Sequence, residues 1–213
     1  MTIRVLLADD HAVMREGLKV LLETAAGVQV VGAAANGREA VRQALELKPD
    51  VLVMDIAMPE LNGIEAARLL REKCPGIRVV ILSMHSDAEH VYRALEAGAA
   101  GYLLKESAGT EVIAAVRAVR EGRRYLGRAI AHLAEAPAAG GRARSPLDSL
   151  SARERQVLQL VVEGKSSAGI ALIVHLSPKS VETYRSRLMK KLGVKDVPAL
   201  VKFAIAHGLT SPG

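Results

Sequence analysis

The chain has 213 residues, half of them hydrophobic, and a formal net charge of +6. Its single cysteine excludes an internal disulfide and a cysteine-rich zinc site, and its few aromatic residues (no Trp, one Phe, four Tyr) argue against a base-stacking platform for single strands. No apolar run approaches the ~18 residues of a membrane helix, and the early acids at positions 9 and 10 do not suit a secretory signal. We therefore expect a soluble cytoplasmic protein with no membrane partner.

The positive charge is concentrated in the last third of the chain. Met1 to Gly127 contains 16 basic and 17 acidic residues, whereas Ser145 to Gly213 contains 10 basic and 5 acidic residues. An excess of this kind in a short segment indicates a polyanionic partner, and nucleic acid is the expected one.

Strand-like and helix-like segments alternate through the first 125 residues. Short apolar runs predict buried parallel strands, and the amphipathic stretches between them predict helices. The predicted strands are 3–8, 28–33, 51–54, 78–82 and 101–103. Five repeats of strand and helix predict an α/β, doubly wound, five-stranded parallel sheet.

Three acids and one lysine directly follow or end these predicted strands. Asp9 and Asp10 follow the first strand, Asp55 follows the third, and Lys105 follows the fifth. Because functional sites of such sheets lie at the carboxyl ends of the strands, we expect these side chains to converge. Three close carboxylates repel one another unless a cation neutralises them, and hard oxygen ligands suit Mg²⁺. The pattern predicts phosphoryl transfer at a metal, with one carboxylate as nucleophile.

Residues 1–125 resemble the receiver domain of two-component response regulators, which has a flavodoxin-like fold. The matching segments are Ala8 to His11, Asp55 to Pro59, Ser83, and Leu103 to Lys105. The resemblance implies that Asp55 accepts a phosphoryl group from a phosphohistidine of a sensor histidine kinase. It also implies that the protein is not an enzyme beyond catalysing its own phosphorylation and dephosphorylation.

The same resemblance assigns the surrounding residues. The implied Mg²⁺ ligands are the side chains of Asp9, Asp10 and Asp55 and the backbone carbonyl of Ala57. The implied phosphate-binding and switch residues are Ser83, Tyr102 and Lys105. Lysine supplies a compact positive charge for phosphate, and a hydroxyl can donate to a phosphoryl oxygen without adding charge.

An enzyme on a flavodoxin-like or dinucleotide-binding fold is the alternative from another class. Such sites need a glycine-rich turn after the first strand, where backbone N–H groups bind phosphate. The turn here runs from Asp9 to Val13 and contains two acids. These acids repel a bare phosphate and accept it only through a metal, which argues against this alternative.

The pattern changes after residue 125. Residues 126–146 are predicted to be a linker, because the segment from Ala134 to Arg142 contains a proline and a glycine pair and has no sustained apolar period. From Leu150 onward the pattern is helical. Ser151 and Glu154 form a predicted capping box, and two short helices joined by a tight turn at Ser177 suit helix-turn-helix geometry.

Residues 147–213 resemble the LuxR-type helix-turn-helix DNA-binding domain. The matching segments are Leu150 to Leu158, Glu163 to Ser166, Leu176 to Thr183, and Arg187 to Val194. Together the two resemblances cover nearly the whole chain and point to the NarL/FixJ family of transcriptional response regulators. They imply binding to double-stranded DNA by a homodimer that forms on phosphorylation.

The third helix of this module is the predicted recognition helix, whose outward face enters the major groove. The residues predicted to read bases are Glu182, Thr183, Ser186 and Arg187. The residues predicted to contact phosphates are Lys179, Ser180, Arg185 and Lys190. The fourth helix resembles the dimer-forming helix of the family, and its predicted interface residues are Leu200, Val201, Ala204 and Ile205. The alternative is that half of this stripe belongs to the core of the domain.

The module departs from its family pattern at three positions. Ala168 and Gly169 stand where a basic residue and an acid are usual, and Tyr184 stands where histidine is commoner. A helical glycine costs about 1 kcal/mol relative to alanine, and the lost charge predicts either weaker DNA binding or assistance by another protein. A second hypothesis keeps the fold but has a partner or ligand control the regulator without phosphorylation.

Overall fold

The computed structural model describes residues 2–135, 145–207 and 209. The chain divides into two compact units, Met1–Gly140 and Gly141–Gly213. Within the described residues, no helix combines the length and the hydropathy that crossing a membrane requires. The central part of the predicted linker, 136–144, lies outside the described residues.

The first unit is a parallel sheet with the strand order β2-β1-β3-β4-β5-β6. The strands are β1 (Ile3–Ala8), β2 (Val28–Ala34), β3 (Val51–Asp55), β4 (Arg78–Ser83), β5 (Gly101–Leu104) and β6 (Tyr125–Leu126). The helices are α1 (Ala12–Glu23), α2 (Gly37–Leu47), α3 (Gly63–Lys73), α4 (Ala88–Ala97), α5 (Ala108–Arg120) and α6 (His132–Glu135). The doubly wound α/β prediction is confirmed, and the two-residue β6 adds a sixth strand.

Helices cover both faces of this sheet, so the strands are apolar on both sides. On one face, Leu6 packs with side chains of α2, α3 and α4. On the other face, Val5 and Leu7 pack with side chains of α1 and α5. Successive residues of β1 therefore pack into two separate cores on opposite faces of the sheet. This explains why residues 5–8 of the strand are all apolar.

The predicted start of the linker at residue 126 is wrong, because ordered structure continues beyond it. Tyr125 and Leu126 pair with Gly101 and Tyr102 of β5, and Ile130 is fully buried in the core against the α4 side of the sheet. A two-residue edge strand is too short to show alternation, so the sequence pattern gave no signal for it.

In the second unit, all the secondary structure of residues 145–207 is helical. Its helices are α7 (Ala152–Val162), α8 (Ser167–Val174), α9 (Pro178–Leu192) and α10 (Val197–Ala206). The predicted capping box is present: Ser151 Oγ accepts from the Glu154 amide, and the Glu154 carboxylate accepts from the Ser151 amide at 2.7 Å. Gly193 ends α9 with a left-handed φ of 67°, a conformation that favours glycine.

Candidate functional site

Four strands end at the same edge of the sheet and carry the predicted receiver residues there. Asp55 is the last residue of β3 and is in register with Leu82 of β4. Ser83 is the last residue of β4 and is in register with Leu104, which precedes Lys105. Asp9 directly follows β1, the other neighbour of β3. Parallel pairing therefore brings together residues that are far apart in the sequence.

Lys105 joins two buried carboxylates. Its Nζ atom lies 2.8 Å from Asp55 Oδ2 and 2.9 Å from Asp9 Oδ2. Burial raises the pKa of Asp55, and the hydrogen bond from Lys105 offsets part of that rise. Burial alone would lower the pKa of Lys105, but the two carboxylates outweigh it and raise that pKa. The lysine is therefore held charged at the centre of the site.

The acidic cluster fits a Mg²⁺ ion. Asp9, Asp10, His11 and Asp55 each offer a ligand atom, and these atoms lie within 4.8 Å of one another. Asp9 Oδ2 is buried without a hydrogen-bond partner of standard geometry among the described residues, and its counter-charge is Lys105 Nζ at 2.9 Å. Carboxylate oxygens are the ligands that Mg²⁺ prefers, and the residues present therefore suit this ion.

His11, which the sequence predicts only as a helix-start residue and which is the N-cap of α1, also contacts the acidic site. Its Nδ1 atom lies 2.8 Å from Asp10 Oδ1 and 3.2 Å from Asp9 Oδ1, and its backbone N–H donates to Asp9 Oδ1 at 2.8 Å. The residue orients both acids while its own side chain stays largely exposed. Its position directly after the acid pair is the signal that could have identified it.

The loop after β3 holds Asp55 rigidly. The Ile56 amide donates to the Leu82 carbonyl at 3.1 Å, and the Gly63 amide donates to the Ile56 carbonyl at 2.9 Å. A Cβ atom at Gly63 would lie 2.1 Å from the Asp55 carbonyl oxygen, so the start of α3 approaches the Asp55 backbone as only glycine permits. The backbone of Ala57 also hydrogen-bonds the Asp55 carboxylate.

Ser83 and Tyr102 are connected through the backbone of His85. The His85 amide donates to Ser83 Oγ at 3.0 Å, and the Tyr102 hydroxyl donates to the His85 carbonyl at 2.8 Å. Tyr102 is fully buried, and this burial raises the pKa of its phenol. A displacement of Ser83 would therefore reach Tyr102 through a single intervening residue.

The predicted recognition helix, α9, turns its apolar stripe inward. Val181 and Leu188 are fully buried, whereas Tyr184 and Leu192 are half-buried. The exposed residues among those predicted to contact DNA are Lys179, Glu182, Thr183, Ser186, Arg187 and Lys190. The half-buried ones are Ser180 and Arg185.

Several polar side chains of α9 already have partners within the unit. Ser167 of α8 donates its hydroxyl to Glu182, which fixes the carboxylate against the neighbouring helix. Thr183 Oγ1 donates to the Lys179 carbonyl at 3.0 Å. Ser180 Oγ lies 2.9 Å from Oγ of Ser177, the residue that caps α9. Lys191, a further basic residue of α9, donates to the Ser149 carbonyl and the Glu154 carboxylate. The side chains of Lys179, Ser186, Arg187 and Lys190 are exposed.

Two of the four predicted dimer residues lie in the core instead. Leu200 and Ala204 are fully buried within the helical unit, so they cannot contact a second copy. Val201 and Ile205 are half-buried on the adjacent stripe of α10. An amphipathic stripe does not reveal whether its own domain or another subunit covers it, and here its own domain covers the first pair.

Comparison with known proteins assigns both units. The family described as response regulator receiver domain matches residues 5–117, and the family described as bacterial regulatory proteins of the luxR family matches residues 148–204. The response regulator GacA of Pseudomonas viridiflava is 40% identical over 208 residues, covering 97% of each chain. The response regulator UvrY of Escherichia coli is 37% identical over 208 residues, covering 97% of this chain and 95% of UvrY.

A solved structure also matches along almost the whole chain. The complex of the two-component response regulator RcsB with DNA has a TM-score of 0.59 and 26% sequence identity, covering 95% of this chain and 98% of RcsB. The receiver residues lie at one sheet edge, and the second family match falls within the helical unit. The chain therefore belongs to the NarL/FixJ family of two-component response regulators and is a transcriptional regulator with a receiver domain and a LuxR-type DNA-binding domain.

Proposed function

We propose that Asp55 accepts a phosphoryl group from the phosphohistidine of a sensor histidine kinase. The observation that carries this proposal is the bridge from Lys105 to Asp55 and Asp9 at the carboxyl edge of the sheet. A carboxylate held beside a charged lysine and two further acids is equipped to bind a phosphoryl group and a metal together. This arrangement does not suit a dinucleotide-binding enzyme, because the acids would repel a bare phosphate group.

The reaction forms a bond between an Asp55 oxygen and phosphorus while the bond from phosphorus to the kinase imidazole breaks, and the electron pair returns to that ring. Asp9, Asp10, Asp55 and the Ala57 carbonyl would hold Mg²⁺, which would supply positive charge to neutralise the phosphoryl oxygens. Lys105 turns from the Asp55 carboxylate to the phosphoryl oxygens. Positioning and charge neutralisation supply most of the rate in such transfers.

The switch that reads the phosphoryl group consists of Ser83 and Tyr102. The Ser83 hydroxyl donates to a phosphoryl oxygen, and the loop it shares with His85 moves toward Asp55. Because Tyr102 donates to the His85 carbonyl, the loop and the phenol change together. A modification acts only through contacts that differ between two states, and this pair of residues supplies the difference.

The output is DNA binding by a homodimer. The basic residues Lys179, Arg185 and Lys190 contact phosphates together with Ser180, while Thr183, Ser186, Arg187 and Glu182 face the bases. The remaining accessible surface of α10, with Val201 and Ile205, contributes to the dimer contact. We place this activity in the cytoplasm, where a duplex DNA ligand is available. RcsB, a relative of similar fold, is solved in complex with DNA.

Intact mass spectrometry tests the acceptor. Wild-type protein incubated with a small phosphodonor and Mg²⁺ gains one phosphoryl group. Asp55→Asn gains none, because an amide is not a competent nucleophile, and the matched control Asp148→Asn, an exposed acid of the other unit, behaves as wild type. Equal mass gains in wild type and Asp55→Asn would rule out this acceptor. Asp10→Ala weakens Mg²⁺ binding in a direct titration.

Duplex titrations test the output. Phosphodonor treatment should tighten full-length binding to paired half-sites by 5- to 150-fold, the usual range of allosteric coupling, and Ser83→Ala should lose most of this gain while Asp55 is still phosphorylated. Identical affinities with and without phosphodonor, at unchanged oligomeric state, would favour the phosphorylation-independent regulator. Lys179→Ala should weaken all duplexes and reduce the salt slope by about 1, whereas Thr183→Ala should change the preferred base pair.

A further inference from the structure

A second group of ligand side chains lies between β4 and α4, outside the acidic site. His85 lies two residues after β4, Asp87 is the N-cap of α4, and His90 lies in its first turn. One ligand atom from each of the three lies within 4.8 Å of the others. The rings of His85 and His90 are stacked with centroids 4.1 Å apart and an interplanar angle of 7°.

His90 has the orientation of a metal ligand. Its Nδ1 atom lies 2.8 Å and 2.9 Å from the two carboxylate oxygens of Asp87. Its Nε2 atom is buried and has no hydrogen-bond partner among the described residues, although the residue is only 5% exposed. A carboxylate that accepts from one ring nitrogen fixes the tautomer and leaves a lone pair on the other, the arrangement seen around metal-bound histidines.

His85 supplies the second nitrogen. The side chain is half-buried beside His90, and burial lowers the pKa of its imidazole. A metal ion requires the neutral ring. Parallel stacked rings cannot direct two lone pairs at one ion, so binding requires the more exposed His85 ring to rotate out of the stack.

We propose that His85 and His90, with Asp87 orienting the second ring, bind a borderline transition-metal ion of the Zn²⁺ class at the start of α4. Imidazole ligands suit Zn²⁺, whereas the oxygen ligands around Asp55 suit Mg²⁺. The two sites therefore select different ions, and water completes the coordination of the transition metal.

Such an ion acts on the switch formed by Ser83 and Tyr102. This part of the inference rests on the proposed function. The His85 backbone holds both Ser83 and Tyr102, through its N–H and its carbonyl. An ion that fixes the His85 side chain therefore restrains the segment that Ser83 has to move. The regulator then has a second input, in which metal occupancy changes the response to phosphorylation.

Calorimetric titration of full-length protein with Zn²⁺, in excess Mg²⁺ to occupy the acidic site, tests the binding. We expect one site in wild type and loss of that site in His85→Ala. Asp87→Asn should bind 10- to 100-fold more weakly, as for other residues that orient a ligand, because asparagine keeps the N-cap but lacks the charge. The control His132→Ala, an exposed histidine of the same unit, should bind as wild type.

The same titration contains the outcomes that overturn the proposal. Unchanged Zn²⁺ binding in His85→Ala, or loss of binding in His11→Ala alone, would place the ion elsewhere. Because calorimetry needs no phosphodonor, this result is independent of whether Asp55 is phosphorylated. For the switch, duplex affinity of phosphorylated wild type should change at least 5-fold on adding Zn²⁺, and His85→Ala should show no change. Equal Zn²⁺ effects in both proteins would refute the coupling.

Discussion

The two units of this regulator place their functional side chains in opposite environments. In the receiver, Asp9, Asp55 and Lys105 are almost fully buried and contact one another. In the helical unit, Lys179 and Arg187 extend into solvent. A buried charge has to be compensated by its immediate neighbours, so its role is visible in the protein alone. An exposed recognition face is defined only when its ligand is bound.

The largest expected effect tests whether the buried charges depend on one another. Lys105→Met leaves Asp9 and Asp55 without their counter-charge and should lower the free energy of unfolding of the receiver by about 3 kcal/mol in metal-free buffer. Urea denaturation followed by circular dichroism measures it. Lys73→Met, at an exposed lysine of α3, should change it by less than about 0.5 kcal/mol. Similar losses of unfolding free energy in both variants would show that the buried lysine contributes no more to stability than the exposed one.

The next effect tests how rigidly the receiver holds Asp55, the proposed phosphoacceptor. Gly63→Ala puts a Cβ atom against the Asp55 carbonyl and should destabilise the receiver by about 2 kcal/mol, with slower gain of phosphoryl mass. Gly109→Ala, in α5 with open space around the added atom, should instead stabilise it by about 0.5 kcal/mol. A fully active Gly63→Ala protein would show that the site tolerates displacement.

A smaller effect concerns a buried acid of the helical unit that serves stability alone. Burial tends to raise the pKa of Glu154, but hydrogen bonds from Lys191 and Ser151 outweigh burial and lower that pKa. The charged carboxylate therefore stabilises the unit above its ordinary pKa of 4.5, and this contribution is lost as the pH falls through the folded-state pKa. Glu154→Gln should cost about 1 kcal/mol at pH 7.

The pH profile separates this interaction from simple packing. Stability of wild type and Glu154→Gln should converge as the pH falls below 4.5, because protonation removes the charge from wild type too. Thermal unfolding at a series of pH values gives the difference. A constant gap between the two proteins at all pH values would show that shape, not charge, makes the contribution.

The smallest expected effect tests whether exposed residues of α8 take part in DNA binding. Ala168→Lys restores a basic residue at an exposed position of α8 and should steepen the salt dependence of DNA binding by about 0.9 if it adds one phosphate contact. Gly169→Ala, whose added atom makes only ordinary contact with Ser166, should raise stability by about 1 kcal/mol without changing the salt slope. An unchanged slope for Ala168→Lys would show that α8 does not approach the phosphates.

The sequence predicted the receiver edge well because strand runs and their terminal residues are local signals. Asp55 and Lys105 each follow an apolar run, and parallel pairing then determines their proximity. The prediction from the sequence was wrong where the burial of a residue depends on packing against residues that are distant in the sequence. The burial of Ile130 and Leu200 depends on which surface covers them, and the apolar pattern is the same whether that surface belongs to the same unit or to another chain.

The contact between His85 and His90 is a second feature that depends on packing and not on sequence pattern. His85 is near Ser83 in the sequence, so a place at the mouth of the site could be inferred. Its stacking on His90 depends on the angle between the loop and the first turn of α4, and the binding of His90 to Asp87 depends on the cap geometry. Residue spacing alone specifies neither, whereas the capping box at Ser151 follows directly from spacing.

The two edge strands of the receiver sheet affect the tendency of the protein to aggregate. At one edge, β6 has only two residues and offers a short template for another strand. At the other, the register of β2 shifts between Val30 and Gly32 opposite β1, and Gln43 donates to the Ala33 carbonyl at 2.8 Å. Short, irregular or occupied edges discourage strand addition and aggregation. The receiver therefore offers few free strand-edge groups to which another copy of the chain could add a strand.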